Sequence, residues 1–269
     1  MNSPPISDNW ERGSPYERYI GRWSRAIAPQ FLAWLDVPAG RRWLDVGCGT
    51  GALCGAIVSR CAPQGVAGVE PSEGFLKLAA QNLAGRVNLW PGDAASTGQP
   101  GDSFDAVVSG LVLNFVPDLE LALGEMQRVA VSGGTVAGYV WDYADGMEVI
   151  RRFWDVAAEL DPAAAPLHEG VRFPLCKPAR LAAAFTAAGL DQVDTAALDL
   201  TARFADFDDF WQPFLGGQGP APAYAMSLSA ERRETLRARL DHVLPRSAAG
   251  GIELAARAWA VRGRRRVPA

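Results

Sequence analysis

Apolar residues along this chain fall into short continuous runs, separated by longer stretches in which they recur every three or four positions. The runs "RRWLDVG" (41–47), "GVAGVE" (65–70), "RVNLW" (86–90), "FDAVVSGLVLNF" (104–115) and "GTVAGYVWDY" (134–143) are bounded by turn residues. Most are too short for helices, and their unbroken apolar character predicts strands buried on both faces. Between them, "ALCGAIVSRCA" (52–62), "PSEGFLKLAAQNL" (71–83) and "DLELALGEMQRVA" (118–130) carry helical periodicity, with Ser72 placed to cap the second. Strand and helix alternating at this pace predict crossover connections and a mostly parallel sheet.

The flanks follow other rhythms. "YERYIGRWSRAIAPQFLAWL" (16–35) sets Tyr19, Ile20, Trp23, Ile27, Phe31 and Trp34 at helical spacing, and Pro29 is expected to break or kink that helix. The polar, proline-rich residues 1–15 are expected to be loose. Beyond the fifth strand, 146–160 and 178–189 read as helices around a proline-punctuated loop that holds His168, and 191–200 reads as a strand. "GIELAARAWAVRG" (251–263) alternates as a last strand should. The segment 204–244, dense in aromatics and then charged, is expected to be a cap insertion over the ligand-binding edge, since so few aliphatics make no core of their own. The whole chain, 1–269, is therefore expected to be one α/β domain built on a doubly wound, mostly parallel, seven-stranded sheet.

Composition narrows the classes. A net charge of −4 with 49% apolar residues offers no electrostatic footprint for nucleic acid or anionic lipid. The C-terminal "RGRRRVPA" is locally basic and reads as a solvated tail. Four cysteines (48, 54, 61 and 176) and two histidines show no zinc spacing, so buried thiols in a reducing cytoplasm are expected and no metal site. The N-terminal residues lack the apolar stretch of a secretion signal, and "AVVSGLVLNFV" (106–116) is too short to cross a bilayer. A cytoplasmic protein with no membrane or nucleic-acid partner is the expectation.

The candidate chemistry lies in "LDVGCGTGAL" (44–53), where Gly47, Gly49 and Gly51 alternate after an apolar run carrying Asp45. A strand, glycine turn and helix in an open α/β sheet place a ligand at the carboxyl ends of the strands. Glu70 ends the second strand, where a carboxylate can accept both hydroxyls of a ribose. The dinucleotide fingerprint is GxGxxG; here it is GxGxG, and no second nucleotide-binding half has a signature, which weighs against a nicotinamide cofactor. Asp93, after the third strand, stands where an adenine amino group would lie. Asn114, Pro117 and Asp118 follow the fourth strand.

With these landmarks in order, residues 40–143 resemble the class I S-adenosylmethionine-dependent methyltransferases, in particular the small-molecule branch labelled type 11 or ubiquinone-biosynthesis-like. The resemblance implies a Rossmann-like methyltransferase fold and S-adenosylmethionine as cofactor. It implies that Asp45 and the backbone of Gly47, Cys48 and Gly49 surround the methionine part. Glu70, followed by Pro71, would hold the ribose, and Asp93 with the amide of Ala94 would read the adenine. Carbonyls of Ser109 to Leu111 would receive the cofactor's amino group. The N-terminal helix would be a lid, with Tyr19 and Trp23 covering the cofactor and Arg22 suited to its carboxylate.

The acceptor is expected to be a small molecule. Trp141, Asp142 and Tyr143 are candidates for its pocket wall; Trp211 and Phe214, with Phe204, Phe207 and Phe210, for an apolar roof or for the insertion's own small core. His168 is the candidate base, against the plainer reading of an exposed loop histidine. The expected reaction is in-line attack by an O, N or C nucleophile on the sulfonium methyl. Aligning the reactants supplies on the order of 7–11 kcal/mol, more than a base adds. The alternative is a non-catalytic, cofactor-binding regulatory protein.

Overall fold

Strand order decides where a ligand can enter, and here it reverses in the middle of the sheet. A computed structural model describes residues 17–217, 219–248 and 250–267; residues 1–15 and Tyr16 lie outside them. Strands β1 (Arg42–Val46), β2 (Gly65–Glu70), β3 (Asn88–Pro91), β4 (Phe104–Gly110), β5 (Ala130–Trp141), β6 (Asp191–Phe204) and β7 (Ile252–Arg264) form one sheet in the order β3-β2-β1-β4-β5-β7-β6. The chain winds outward from β1 to β3, returns to β4 beside β1, and winds the other way. Only β7 is antiparallel to its neighbours, running between β5 and β6.

Period-two alternation sorts side chains onto the two faces. On β1, Trp43 joins one apolar cluster, whereas Leu44 and Val46 join the other. Asp45 therefore shares the face of Trp43 and is 1% exposed. On the Trp43 face lie α1 (Arg22–Leu35), α2 (Ala52–Arg60) and α3 (Glu73–Leu83). On the other lie α4 (Leu119–Val129) and, after α5 (Glu148–Leu160) and the short α6 (Glu169–Arg172), helix α7 (Pro178–Ala187). Ser72 caps α3 by accepting the Phe75 N–H at 3.3 Å.

Pro29 does not break α1, which runs through it to Leu35 after a single π turn at Glu17–Gly21. Proline inside a helix costs about 3 kcal/mol. Burying Ile27, Ala28, Phe31, Leu32 and Leu35 offsets that, at roughly 1.5–3 kcal/mol for each large side chain. The fourth apolar run is strand only to Gly110; Leu111 then takes a left-handed φ of 66° and Leu113–Phe115 form a 3₁₀ turn. Its apolar character past Gly110 reflects burial rather than pleating, since Leu113 is 1% exposed. The basic C-terminal stretch is not a solvated tail. Arg264 is the last residue of β7 and donates to Thr135 Oγ1, Arg265 pairs with Asp102, and Arg266 pairs with Asp191.

Between β6 and β7 the chain forms α8 (Phe207–Trp211), a 3₁₀ turn (Gln212–Gly216), α9 (Pro220–Ser227) and α10 (Ala230–Val243). Its aromatics do not stand apart. Phe214 stacks on Phe153 of α5 with centroids 4.7 Å apart, and meets Tyr19 edge-on at 5.3 Å. Phe204, Phe207, Phe210, Trp211 and Phe214 belong to the same apolar cluster as Trp43 and Tyr139. Arg22 bolts α1 to this segment: its guanidinium lies over the rings of Trp23 and Phe204, at 4.3 and 4.5 Å, and pairs with Asp209 at 3.1 Å. Trp211→Ala is therefore expected to cost about 3–5 kcal/mol of stability, read as a lowered urea midpoint. An unchanged midpoint would show that the ring contributes nothing to the core.

Candidate functional site

The glycine turn after β1 crosses onto β2, where the N–H groups of Gly47 and Cys48 both donate to the Val69 carbonyl, at 2.9 and 3.0 Å. Gly47 and Gly51 have φ of 74° and 88°, and a Cβ on either would meet a packed neighbour: Val112 at 2.7 Å or Leu83 at 2.8 Å. Gly49, at φ 54°, has open space on its Cβ side. Two of the three glycines thus serve the packing of the turn, and the middle one faces the void.

Two buried acids flank that turn. Glu70 is 6% exposed; its Oε2 accepts the Gly49 N–H and its Oε1 the Ser72 N–H, each at 3.0 Å. Burial raises its pKa and these backbone donors pull it back. Each oxygen keeps a lone pair for a further donor. Asp45 Oδ2 accepts the Cys54 thiol at 3.3 Å, while its buried Oδ1 has no partner. Burial, with a smaller contribution from the Glu70 charge, raises Asp45 from 3.8 to about 7.

Both acids line a cavity of about 870 Å³ at the carboxyl ends of β1, β2, β4 and β5. At one side lie Asp93, whose Oδ1 accepts the N–H groups of Ala95 and Ser96 at 2.8 Å, and Ala94. At the other, Phe115, Tyr139, Trp141 and Tyr143 form an aromatic wall, in which the buried Trp141 Nε1 has no partner. Leu111, in its left-handed conformation, lines the space between. Among the described residues no group of three His, Cys, Asp or Glu is placed to hold a metal, and no helix is long and apolar enough to cross a membrane.

Residues 44–138 match the family model described as a methyltransferase domain. The demethylmenaquinone methyltransferase of Geobacillus kaustophilus is 39% identical over 105 residues, 37% of this chain and 45% of that protein. The chain spans about half the length of the curated relatives it matches. Among solved structures, a protein of Bacillus halodurans superposes with a TM-score of 0.60 at 14% identity, over 90% of this chain and all of that one. Phosphoethanolamine N-methyltransferase 2 of Haemonchus contortus, in complex with phosphomonomethylethanolamine and S-adenosylhomocysteine, superposes at 0.57 with 16% identity, over 94% and 57% of the two chains. At such identities the likeness is one of fold. Residues 44–138 are thus similar in sequence to a methyltransferase domain, and the sheet that holds them has the class I methyltransferase fold.

Of the residues expected to form the site, Asp45, Gly47, Cys48, Gly49, Glu70, Pro71, Asp93, Ala94, Leu111, Trp141 and Tyr143 line the cavity. The others stand elsewhere. Tyr19, Arg22 and Trp23 face the insertion; helix α1 and its leading turn reach the cavity through Ser24 and Ile20 instead. Arg22, with its charge engaged by Asp209, is not directed at a ligand carboxylate. Ser109 is fully buried and donates its hydroxyl to the Val46 carbonyl at 2.9 Å, tying β4 to β1. Asp142 is a turn builder: its Oδ1 accepts the Asp145 N–H at 3.0 Å, and its carbonyl accepts from Gly146 and Met147. Period two explains the error, because Tyr139, Trp141 and Tyr143 share one face and Asp142 takes the opposite one.

His168 does not line the cavity either. Its Nδ1 accepts the Gly170 N–H at 2.8 Å, capping α6, and burial holds its pKa below the ordinary value. Trp211 and Phe214 are core, as described above, and not a roof. Among the lining residues missed were Ile20, Ser24, Phe115 and Tyr139. The alternation that carries Trp141 and Tyr143 into the cavity would have found Tyr139; for Phe115 no sequence signal separates cavity from core.

The raised Asp45 acid makes stability pH-dependent. Below about pH 4 the carboxyl is protonated in both states. Between there and about pH 7 the unfolded chain ionises while the folded one keeps its proton, so this group's contribution falls as pH rises. Asp45→Asn is expected to remove that fall, gaining up to about 4 kcal/mol on the wild type between pH 4 and pH 7.5. Urea unfolding of both proteins across that range reads the difference directly; a gap that does not vary with pH would show an ordinary Asp45.

Proposed function

We propose that the protein is an S-adenosylmethionine-dependent methyltransferase acting on a flat, oxygen-bearing, largely apolar small molecule. One observation carries this reading: a single cavity joins an acid-flanked glycine turn to an aromatic wall. The volume lies in the upper part of the roughly 300–1,000 Å³ range of small-molecule sites.

The residues present fit the cofactor. Asp45 Oδ1, buried and unpartnered, suits an ammonium group, which restores the charge pairing that burial otherwise denies it. The free lone pairs of Glu70 suit the hydroxyls of a ribose. Asp93 Oδ2 and the amide of Ala94 suit the edge of an adenine. When bound, the cofactor supplies a sulfonium methyl already activated toward nucleophiles.

The chain's task is then to align and to dry. Ile20 and Ser24 close one side of the cavity, and Phe115, Tyr139, Trp141 and Tyr143 exclude water around the acceptor. Trp141 Nε1 is a donor suited to an acceptor oxygen. The relatives named demethylmenaquinone methyltransferases support an oxygenated ring as acceptor. Proximity contributes on the order of 7–11 kcal/mol, and with His168 turned away we propose transfer without a histidine base.

Calorimetry on EDTA-treated protein is expected to show binding of S-adenosylhomocysteine, and no binding would sink the reading. Glu70→Gln is expected to weaken that binding roughly ten- to a hundredfold, because the amide loses charge-assisted acceptance and turns an N–H against Gly49 or Ser72. Labelled methyl from S-adenosylmethionine is expected to appear on reduced demethylmenaquinone or on a smaller ring diol. Binding without transfer to any ring acceptor would favour the regulatory alternative.

A further inference from the structure

A buried carboxylate stands behind the aromatic wall of the cavity. Glu169, the first residue of α6, is 2% exposed, and its Oε2 accepts the indole N–H of Trp154 from α5. The short helix that carries it presses on the wall itself. Gly170 packs so closely on Tyr143 that a Cβ there would stand 2.7 Å from the Tyr143 carbonyl oxygen. Phe173, just past the helix, meets Phe115 edge-on at 5.0 Å and Tyr143 at 5.8 Å. Both of those partner rings line the cavity.

A third group completes the cluster. Tyr19, in the turn before α1, is 5% exposed, and its hydroxyl has no hydrogen-bond partner among the described residues. A buried hydroxyl left this way is a cost that folding alone does not explain. The next residue, Ile20, lines the cavity. Burial, then the charge of Glu169 and then Tyr143, push the Tyr19 phenol well above its ordinary range, so its hydroxyl lies within electrostatic reach of both. It therefore keeps its proton at neutral pH. His168, beside Glu169, is largely uncharged there: burial lowers its pKa, Asp155 of α5 opposes that, and Arg151 adds to it.

We propose that Glu169 is the proton acceptor for methyl transfer, reached from the cavity through the hydroxyls of Tyr143 and Tyr19. This rests on the methyltransferase reading and adds a proton path to it. Tyr143 is the member that touches the acceptor molecule; Tyr19 and Glu169 act through it. As the acceptor's O–H bond breaks, its electron pair goes, directly or through the ring, into the bond forming with the methyl carbon. The pair of the broken S–CH3 bond stays on sulfur. If a ring carbon takes the methyl, its own hydrogen afterwards restores the hydroxyl, so one proton is lost either way. That proton enters at Tyr143 Oη, each phenol gives up one proton for the one it takes, and one proton ends on the Glu169 carboxylate. Catalytic hydrogen bonds are often long before substrate binds and tighten with it, so the Tyr19 hydroxyl joins the chain when the acceptor is in place.

Reduced demethylmenaquinone and catechol are the acceptor probes, with rates read at saturating S-adenosylmethionine. Tyr143→Phe and Glu169→Gln are each expected to lower kcat about a hundredfold near pH 7. Both are expected to bind S-adenosylhomocysteine as the wild type does, and the amide of Glu169→Gln keeps an oxygen for Trp154 Nε1. The defect is expected to shrink as pH rises toward the ionisation of the acceptor's own hydroxyl, about 10 for a phenol, where no proton remains to be taken. A merely structural role slows transfer equally at every pH, so a defect that does not vary with pH would overturn the relay. Tyr19→Phe tests the path without disturbing the fold, because the hydroxyl it removes makes no hydrogen bond among the described residues. It is expected to melt at or above the wild-type temperature and yet to transfer about tenfold more slowly near pH 7. A lowered melting point or an undiminished rate would take Tyr19 out of the path and overturn the proposal as stated. Transfer that all three variants keep would overturn the relay and leave the function standing. A wild type that binds S-adenosylhomocysteine but methylates neither probe would overturn the functional reading and the relay with it.

Discussion

One carboxylate holds two loops at the edge of the sheet. Glu70 accepts the N–H of Gly49 from the turn after β1 and the N–H of Ser72 from the turn after β2, so the two connections that flank the ligand space are fixed to the same side chain. Burying a charge there is unfavourable, and only these backbone donors make it tolerable. The consequence is a preorganised floor: the glycine turn stays in its left-handed conformation before anything binds, and a ligand need not order it. Asp45 is the complementary case, a buried acid whose second oxygen is left unsatisfied, so that its neighbourhood favours an incoming cation.

Around that floor, the walls are built by packing rather than by hydrogen bonds. Helix α1 lies across the sheet face with one stripe on the core, and the segment between β6 and β7 leans on its other side through rings. The aromatic contacts continue through Phe214 to Phe153 of α5, so the wall of the cavity and the distal core form one apolar body. The same ring contacts hold α1, which presents Ser24 to the cofactor cavity.

Much of this was legible in the sequence where one local pattern decided the outcome. All seven strands are set by apolar runs or by alternation, and Gly47, Gly49, Glu70 and Asp93 follow from strand ends and turn chemistry. What was not legible depends on which way a side chain turns once two elements meet. Tyr19, Arg22 and Trp23 have the chemistry of a lid, but the helix offers a different face to the cavity, and Asp209, 187 residues from Arg22, claims its charge. His168 was misread because its ring serves its own backbone turn, a local bond that composition does not reveal. The arginines of the C-terminal strand looked solvated only because their partners, Asp102 and Asp191, are remote in the chain.

The pairing of β6 has a consequence for assembly of the fold. Among the described strands this one pairs with β7 alone, which is made some fifty residues later and itself pairs with β5. Until then β6 has no strand to pair with. The contacts of α1 with the segment after β6 therefore wait for β7. Contacts of such sequence separation are slow to form, so the glycine turn can take shape early, whereas the cavity is enclosed only once β7 has paired.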